Sequence, residues 1–495
     1  MSDSVERHDD IQALLRGFGL RWPWALFVYS TFGDDPDRNL DFLRELAGVL
    51  GNGEAPTSVA ELDARRDDPG FDSPFNVALT HRGLSKLGIA PDILTSFPAE
   101  FVQGMRQRAS VNHDYGRSAP ECWEQPWRDG SVDIWIGVYT RTEALREQQQ
   151  QRLTAHLSSY GMPVDSFDRP GQLLVGDTPV WLDDPACQPD PSRAVEHFGF
   201  GDGMSDPPVK GLARAGSPTT NSGGKIDTKG NWQPLAAGEF LYGHLDEIGE
   251  VPPAPTPTDI GRNGTYLVLR KLSQDVDAFR AYLSEQALRQ KVGADDLAAK
   301  MVGRARSGDP LVPRMSEDDR NDFQYKDDLP GNICPLGSHL RRTNPRDSLS
   351  FQTVLVDRHR MLRRGVPYGH LVPRGRAMSE INPLDAGNGT GPPYPGQGLM
   401  FLALNVDIRR QFEFVQSQWV NYGNDLRQGS DRDPVVGAHN PNRPMHNRIV
   451  MVTDTEAGVA VCPEIPSFVQ TRGGDYFFLP SLHAYAAIAA GRDYR

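Results

Sequence analysis

The strongest constraint on the fold of this chain is a repeated unit, in which a short apolar strand is followed by an amphipathic helix. Residues 24–30 (WALFVYS) form an apolar run rich in residues that favour strands. After a polar turn, Leu43, Leu46, Ala47 and Leu50 recur at the spacing of one helix face. The pattern predicts a strand, a loop and a helix that packs on the sheet.

A second unit follows in the amino-terminal half. Residues 132–140 (VDIWIGVYT) predict another strand. Thr140 and Glu143 match a capping box at the start of a long polar helix, which we expect to end at Gly161.

The carboxy-terminal half repeats the plan. Residues 264–272 (GTYLVLRKL) predict a strand before a helix capped by Ser273, and residues 398–406 (GLMFLALNV) predict a strand before a second helix. That second helix has four apolar residues at helical spacing, which are Ile408, Phe412, Val415 and Trp419.

The repetition over two halves indicates the fold class. A chain of 495 residues exceeds the size at which one hydrophobic core usually keeps growing. Long connections rich in proline and glycine, at 210–233 and 252–264, separate the repeated units. We therefore predict an α+β protein with two similar sandwiches, each an antiparallel sheet with helices on one face.

Composition excludes several classes of protein. A net charge of −13 argues against non-specific binding to nucleic acid or to an anionic membrane surface. No apolar run approaches the length that spans a bilayer, and the first residues lack the pattern of a secretory signal. The four cysteines form no CxxC pair, which fits a reducing compartment. We expect a cytoplasmic protein.

Residues 334–346 (CPLGSHLRRTNPR) concentrate basic and metal-ligating side chains in an acidic chain. His339 is suited to bind iron through a neutral imidazole, and Cys334 is the alternative ligand, as a thiolate. Arg341, Arg342 and Arg346 are suited to neutralise the carboxylates of an organic anion. The alternative to a ligand role is that His339 is a structural or surface residue.

Two further segments carry chemistry. In residues 196–207 (EHFGFGDGMSDP), glycines surround Asp202. Either the segment is a tight turn that presents Asp202 as a functional carboxylate, or it is an ordinary hairpin turn. The pattern of residues 358–370 (RHRMLRRGVPYGH) predicts either a solvated strand or a strand that enters the interior of the protein. In the second case at least one arginine is buried and needs an anion.

Together these three segments resemble the dye-decolorizing peroxidases, a family of haem enzymes. The stretch HFGFGDG is similar to the GxxDG motif of the family, CPLGSHLRRTNPR to its proximal-histidine segment, and RRGVPYG to its distal-arginine segment. The similarity extends over most of the chain and is greatest to the larger, cytoplasmic branches. It implies two ferredoxin-like domains, at 1–225 and 226–495, with one haem b per chain held mainly by the second.

The resemblance assigns roles to individual residues. It makes His339 the proximal iron ligand, Asp202 the distal acid/base and Arg363 the distal arginine, all three beside the haem. Arg346 corresponds to a residue that contacts a haem propionate. Cys334 then becomes a packing residue, while Arg341 and Arg342 remain open between cofactor and internal carboxylates.

A carboxylate is expected to accept the other ring N–H of His339. From its position after the strand at 398–406 we predict Asp407, with Glu413 as the weaker candidate. The chain departs from its relatives at Gly201, where many carry a larger residue, and at Gly365, where some place a polar side chain.

The function implied is that of a peroxidase, in which hydrogen peroxide oxidises bulky dye-like or phenolic compounds. The alternative is a haem-binding protein for haem carriage, iron release or sensing, and a third reading is a relative that has lost haem. Trp419, Tyr422 and Tyr368 are candidate electron relays, with simple packing as the alternative. The oligomeric state stays open.

Overall fold

The computed structural model describes residue 5 and residues 7–51, 53–163, 172–174, 196–201, 205–213, 222–349, 353–368, 397–439, 447–452, 458–491 and 494. The strands are β1 Trp24–Ser30, β2 Phe75–Leu79, β3 Ile134–Thr140, β4 Gln172–Leu174, β5 Lys225–Ile226, β6 Trp232–Gln233, β7 Thr265–Gln274, β8 Leu362–Arg363, β9 Val366–Tyr368, β10 Gly398–Asn405, β11 Ile449–Val452, β12 Val459–Cys462 and β13 Val469–Leu479.

The α-helices are α1 Pro36–Leu50, α2 Val59–Arg65, α3 His81–Lys86, α4 Pro91–Ser96, α5 Ala99–Gln107, α6 Glu143–Ser159, α7 Thr258–Gly261, α8 Val276–Gln290, α9 Ala294–Val302, α10 His339–Thr343, α11 Thr353–Asp357 and α12 Leu482–Ala490. Two π-helical segments cover Arg409–Glu413 and Val415–Val420. Short 3-10 turns lie at Ala13–Leu15, Gly19–Arg21, Gly116–Ser118, Pro120–Cys122, Ala237–Glu239, Lys326–Asp328 and Asn424–Leu426.

One nine-stranded sheet runs through both halves of the chain. Its amino-terminal half has the order β4-β1-β3-β2, and its carboxy-terminal half has the order β13-β7-β10-β8, with β9 also beside β10. Every pairing in this sheet is antiparallel. The halves meet where Phe478 of β13 pairs with Leu79 of β2. The α+β class is confirmed, and the domain boundary near residue 225 stays a prediction.

The first strand-helix unit forms as its sequence predicts. All seven residues of β1 are buried, and α1 turns its apolar face inward through Leu43, Leu46 and Leu50. Asp35 caps the helix by accepting the N–H groups of residues 37 and 38. Gly51 ends the helix at φ 76°, a left-handed conformation that glycine adopts without a steric penalty.

Two predicted helix caps are wrong by two residues. Helix α6 is capped by Thr142, which accepts from the N–H of Leu145, because the hydroxyl of Thr140 donates instead to the carbonyl of Trp24 across β1 and β3. Likewise β7 continues through Ser273, so that α8 is capped by Asp275. Strand β3 ends at Thr140 as predicted, whereas β7 runs two residues further than its apolar pattern indicates.

The helix predicted after β10 is present but widened. Residues 409–420 form two π-helical segments rather than a regular α-helix. Phe412, Val415 and Trp419 are buried, as the helical spacing predicts. Such widened turns are rare and are frequently found at functional sites. In the described ranges, we find no helix with the length and apolar character to cross a bilayer.

Candidate functional site

A cavity of about 1100 Å³ lies against one face of the carboxy-terminal half of the sheet. Arg270 of β7 is the cross-strand partner of Phe401 of β10, and Leu272 is the partner of Leu399. Residues directly opposite one another in a sheet point to the same face, and these four all line the cavity. The floor of the cavity is therefore built by alternate residues of neighbouring strands.

His339, the predicted iron ligand, lines the same cavity at the start of α10. Its Nδ1 lies 2.9 Å from Oδ2 of Asp433, whose side chain is fully buried. The other carboxylate oxygen of Asp433 accepts the backbone N–H groups of Val435 at 2.8 Å and Val436 at 2.9 Å. The carboxylate thus fixes the ring orientation and leaves Nε2 as the nitrogen for a ligand.

Burial alone would raise the pKa of Asp433. The facing His339, the Arg342 guanidinium and the backbone N–H groups outweigh that effect, so the pKa of Asp433 lies below its usual value. Asp433 is therefore an ionised hydrogen-bond acceptor at neutral pH.

The prediction of Asp407 as the acid beside His339 is wrong, and so is the weaker candidate Glu413. Asp407 accepts the backbone N–H of Arg410 at 2.9 Å and the Nε of the same residue at 3.3 Å, which caps the widened helix. Glu413 accepts both arms of Arg108, at 2.5 and 2.6 Å. Both carboxylates are occupied, because the widened helix directs them away from His339.

Four guanidiniums gather at one end of the site, those of Arg304, Arg346, Arg360 and Arg363, and we call them the arginine cluster. Among the described residues, none of the four has a carboxylate oxygen within salt-bridge distance. Burial is the main cause that lowers the pKa of Arg346 to about 9 and of Arg360 to about 10, and neighbouring guanidiniums add to it. Buried cations of this kind favour a bound anion.

Three members of the arginine cluster line the cavity, which are Arg304, Arg360 and Arg363. Arg363, on β8, donates through Nη2 to the hydroxyl of Ser205 at 3.1 Å. Arg360, only 8% exposed, donates to the carbonyl of Gly223 at 2.8 Å. The prediction that the segment 358–370 carries at least one arginine inward is confirmed by Arg360.

Arg346 is not among the residues that line the cavity. Its Nη1 donates to the carbonyls of Asn321 at 3.0 Å and Phe323 at 2.6 Å, and its guanidinium lies 3.8 Å from the centre of the Phe323 ring. The structure thus brings His339 and Arg363 together, but places Arg346 behind the wall, within the arginine cluster.

The three other residues singled out in 334–346 have internal partners. Arg341 is fully buried and forms a salt bridge of 3.1 Å with Asp328. Arg342 donates to three backbone carbonyls, those of residues 337, 419 and 431. Cys334 is fully buried 3.4 Å from the Ser338 hydroxyl, and burial raises the pKa of its thiol. All three support the wall and do not face a ligand.

Asp202, the predicted acid/base, lies outside the described residues. The residue before it in the chain, Gly201, lines the cavity together with Phe198 and Phe200. Glu196 holds this loop, because its carboxylate accepts the N–H groups of Phe198 at 2.8 Å and Phe200 at 2.9 Å. The described part of the GxxDG loop therefore reaches the cavity wall.

Several residues of the site carry no recognisable sequence signal. Asp433 lies 94 residues after His339 in the chain. Arg304 lies just after helix α9, outside the three segments that the sequence analysis singled out. Of the suggested relays, Trp419 and Tyr368 are buried, while Tyr422 is 44% exposed. A relay role for any of these three stays a prediction.

Comparison with known proteins finds dye-decolorizing peroxidases. No family model matches the chain. A dye-decolorizing peroxidase of Mycena epipterygia is 29% identical over 453 residues, which cover 84% of this chain and 76% of that protein. The multifunctional dye peroxidase DyP2 of Amycolatopsis is 28% identical over 486 residues, covering 92% and 90%. The chain is thus similar over most of its length to curated dye-decolorizing peroxidases.

Solved structures of dye-decolorizing peroxidases share the fold. The structure of DyP2 from Amycolatopsis superimposes with a TM-score of 0.71 at 24% identity, covering 98% of this chain and 97% of that one. A DyP-type peroxidase of Anabaena gives 0.71 at 22% identity, with 97% and 94% covered. The fold of these structures confirms the predicted two-part ferredoxin-like architecture, and the curated relatives support a peroxidase enzyme.

Proposed function

We propose that the protein is a haem peroxidase that uses hydrogen peroxide to oxidise bulky organic reductants, in the cytoplasm. The observation that carries the proposal is His339, held by the buried carboxylate of Asp433, in one cavity with Arg363 and two more members of the arginine cluster. The names of the relatives support the same reaction.

The residues present fit one haem b per chain. His339 offers an oriented ring nitrogen, and the arginine cluster offers positive charge that lacks a carboxylate partner in the described part of the chain. We assign His339 as the iron ligand, and Arg304 and Arg360 as partners for the propionates. The haem supplies the redox chemistry when it is bound.

Asp433 makes the proposed ligand more basic. Because its carboxylate accepts the Nδ1–H of His339 at 2.9 Å, it holds one tautomer and pushes electron density toward Nε2. A more basic ligand favours the higher oxidation states that a peroxidase needs. The internal partners of Arg341 and Arg342 keep the surrounding wall in place.

Arg363 and Asp202 are the proposed catalytic residues. Asp202 takes the proton from one peroxide oxygen and returns it to the other, and a positioned acid/base of this kind contributes about 10²–10⁴-fold. Arg363 carries a permanent charge toward the departing oxygen, and such a donor contributes on the order of 10²–10³-fold. Arg363 lines the cavity with His339, while the place of Asp202 rests on the family motif.

The experiment is an absorption spectrum of the purified protein, before and after stoichiometric peroxide. We expect a Soret band that shifts on addition of peroxide, and a band that is lost or displaced in His339→Ala. Cys334→Ala is the matched control, because it removes the other candidate ligand from the same segment and should leave the band unchanged. A Soret band that His339→Ala leaves intact would refute the assignment.

Asp202→Asn separates this function from haem carriage, iron release or sensing. The variant should keep the Soret band and lose peroxide turnover. If Asp202→Asn and Arg363→Leu both turn over peroxide at the wild-type rate, the peroxidase assignment is wrong and a carrier or sensor is favoured.

A further inference from the structure

A buried ion pair that is not part of the arginine cluster lies on the cavity floor. Arg270 of β7 contacts Asp114, which lies on a loop from the amino-terminal half, and both contact the hydroxyl of Thr471 on β13. The three residues are 3%, 4% and 4% exposed, and all three line the cavity. The site is thus built from three separate parts of the chain.

The pair has unused hydrogen-bonding atoms. Oδ2 of Asp114, and Nε and Nη1 of Arg270, are buried and have no hydrogen-bond partner within the described ranges. Leaving such groups without a partner is unfavourable, more so for charged groups. The open atoms offer one strong acceptor beside two donors, which suits a group that both donates and accepts.

The surroundings of the pair favour an aromatic ligand. The Arg270 guanidinium lies 5.7 Å from the centre of the Phe412 ring, and Phe401 is its cross-strand neighbour. Leu272 continues this apolar wall along β7. A planar ring fits against such side chains, in an offset or edge-to-face arrangement.

The pair also lies next in the chain to exposed residues of the cavity wall. Tyr115, Gly116 and Arg117 directly follow Asp114, line the same cavity and are exposed, Tyr115 by 54%. The chain directly after Asp114 is therefore both exposed and part of the cavity wall.

The charge of the pair distinguishes it from the proposed haem site. The carboxylate of Asp114 cancels the charge of Arg270 and would repel a propionate or another anion. The arginine cluster has no such carboxylate in the described part of the chain and attracts anions. The ion pair and the arginine cluster thus suit different ligands.

We propose that Asp114 and Arg270 form a subsite that binds the hydroxyl group of a phenolic reductant. The phenol donates to Oδ2 of Asp114 and accepts from Arg270, while its ring packs against Phe401 and Phe412. The proposal deepens the proposed function, on which it rests for the view that the bound phenol is the reductant of that reaction.

The test measures binding of phenol and of anisole, its methyl ether, by calorimetry without peroxide. Both rings fill the same space, but only phenol donates a hydrogen bond. We expect the wild-type protein to bind phenol about tenfold more tightly than anisole, as suits a hydrogen bond to a charged group. In Asp114→Asn, phenol affinity should fall about tenfold and anisole affinity should stay the same.

Asp133→Asn is the matched control, because Asp133 is also a buried aspartate paired with an arginine, Arg82, but does not line the cavity. It should keep the tenfold preference for phenol. Equal binding of phenol and anisole to the wild-type protein overturns the proposal even if Asp114→Asn fails to fold. The proposal is also overturned if Asp114→Asn binds phenol more tightly than anisole to the same extent as the wild-type protein.

The absence of peroxide separates this test from that of the proposed function. A protein that prefers phenol to anisole but shows no peroxide turnover keeps the subsite and loses the peroxidase assignment. A protein that turns over peroxide but binds both probes equally keeps the assignment and loses the subsite.

Discussion

The two halves of the sheet use their faces differently. In the amino-terminal half, every residue of β1, β2 and β3 is buried, and the aspartate that precedes β3, Asp133, is paired with Arg82. In the carboxy-terminal half, one face borders the cavity and carries Arg270, Gln274 and Arg363. A face that packs on its own chain leaves no room for a ligand, whereas a face with charged residues and an open cavity is suited to one.

The largest expected effect is a loss of stability on replacing Arg341, an arginine of the carboxy-terminal half that is paired with Asp328. Arg341→Leu leaves Asp328 buried without its salt bridge, and breaking a buried pair costs about 3–5 kcal/mol. We expect the free energy of unfolding in urea to fall by that amount. A loss below about 1 kcal/mol would show that the partners of Arg341 do not hold the wall.

Arg363→Leu should have the opposite profile. Arg363 has no carboxylate partner in the described ranges, so stability should change little, while peroxide turnover falls on the order of 10²–10³-fold. The control is Arg82→Leu, in the amino-terminal half, which removes the partner of Asp133 and should leave turnover unchanged. Equal turnover in Arg363→Leu and wild type would show that the two halves do not differ in function in this way.

Asp433→Asn should have a smaller effect on the same site. The amide cannot take up the Nδ1–H of His339 as strongly as the ionised carboxylate does, and changes around a metal ligand of this kind cost about 10–100-fold in metal affinity or activity. The measurement is the rate of haem loss together with peroxide turnover. Asp407→Asn is the control, because its carboxylate contacts Arg410 and should affect neither.

The last expected effect is a pH dependence of stability in the amino-terminal half. Burial raises the pKa of Asp133 to about 6, although Arg82 opposes the shift. The native state then holds a proton that the unfolded state has released, so this group lowers stability as pH rises from about 4 to 6. At about 1.4 kcal/mol per pKa unit, the loss is about 2–3 kcal/mol.

Asp133→Asn should remove that slope. The free energies of unfolding of wild type and variant are measured in urea between pH 4 and 7, and their difference should change only within this window. A difference that is constant with pH would show that the carboxylate of Asp133 is not perturbed by its burial.

Prediction from sequence succeeded where the signal is local. The strand at 24–30 and the helix that follows it are correct, because apolar periodicity, Asp35 and Gly51 all lie within a few residues of the structure they specify. The caps at Thr140 and Ser273 were wrong, because the length of a strand depends on pairing with a distant strand.

The residues of the site also divide into those with a local sequence signal and those without one. The sequence by itself determined the α+β units and the motifs that resemble the family, and through that resemblance it proposed His339 and Arg363, because each signal is written in consecutive residues. Only the tertiary structure decided that Asp433 rather than Asp407 holds His339, and that Asp114 meets Arg270, 156 residues further along the chain. Such contacts depend on how the sheet and its loops pack, and no local periodicity encodes them.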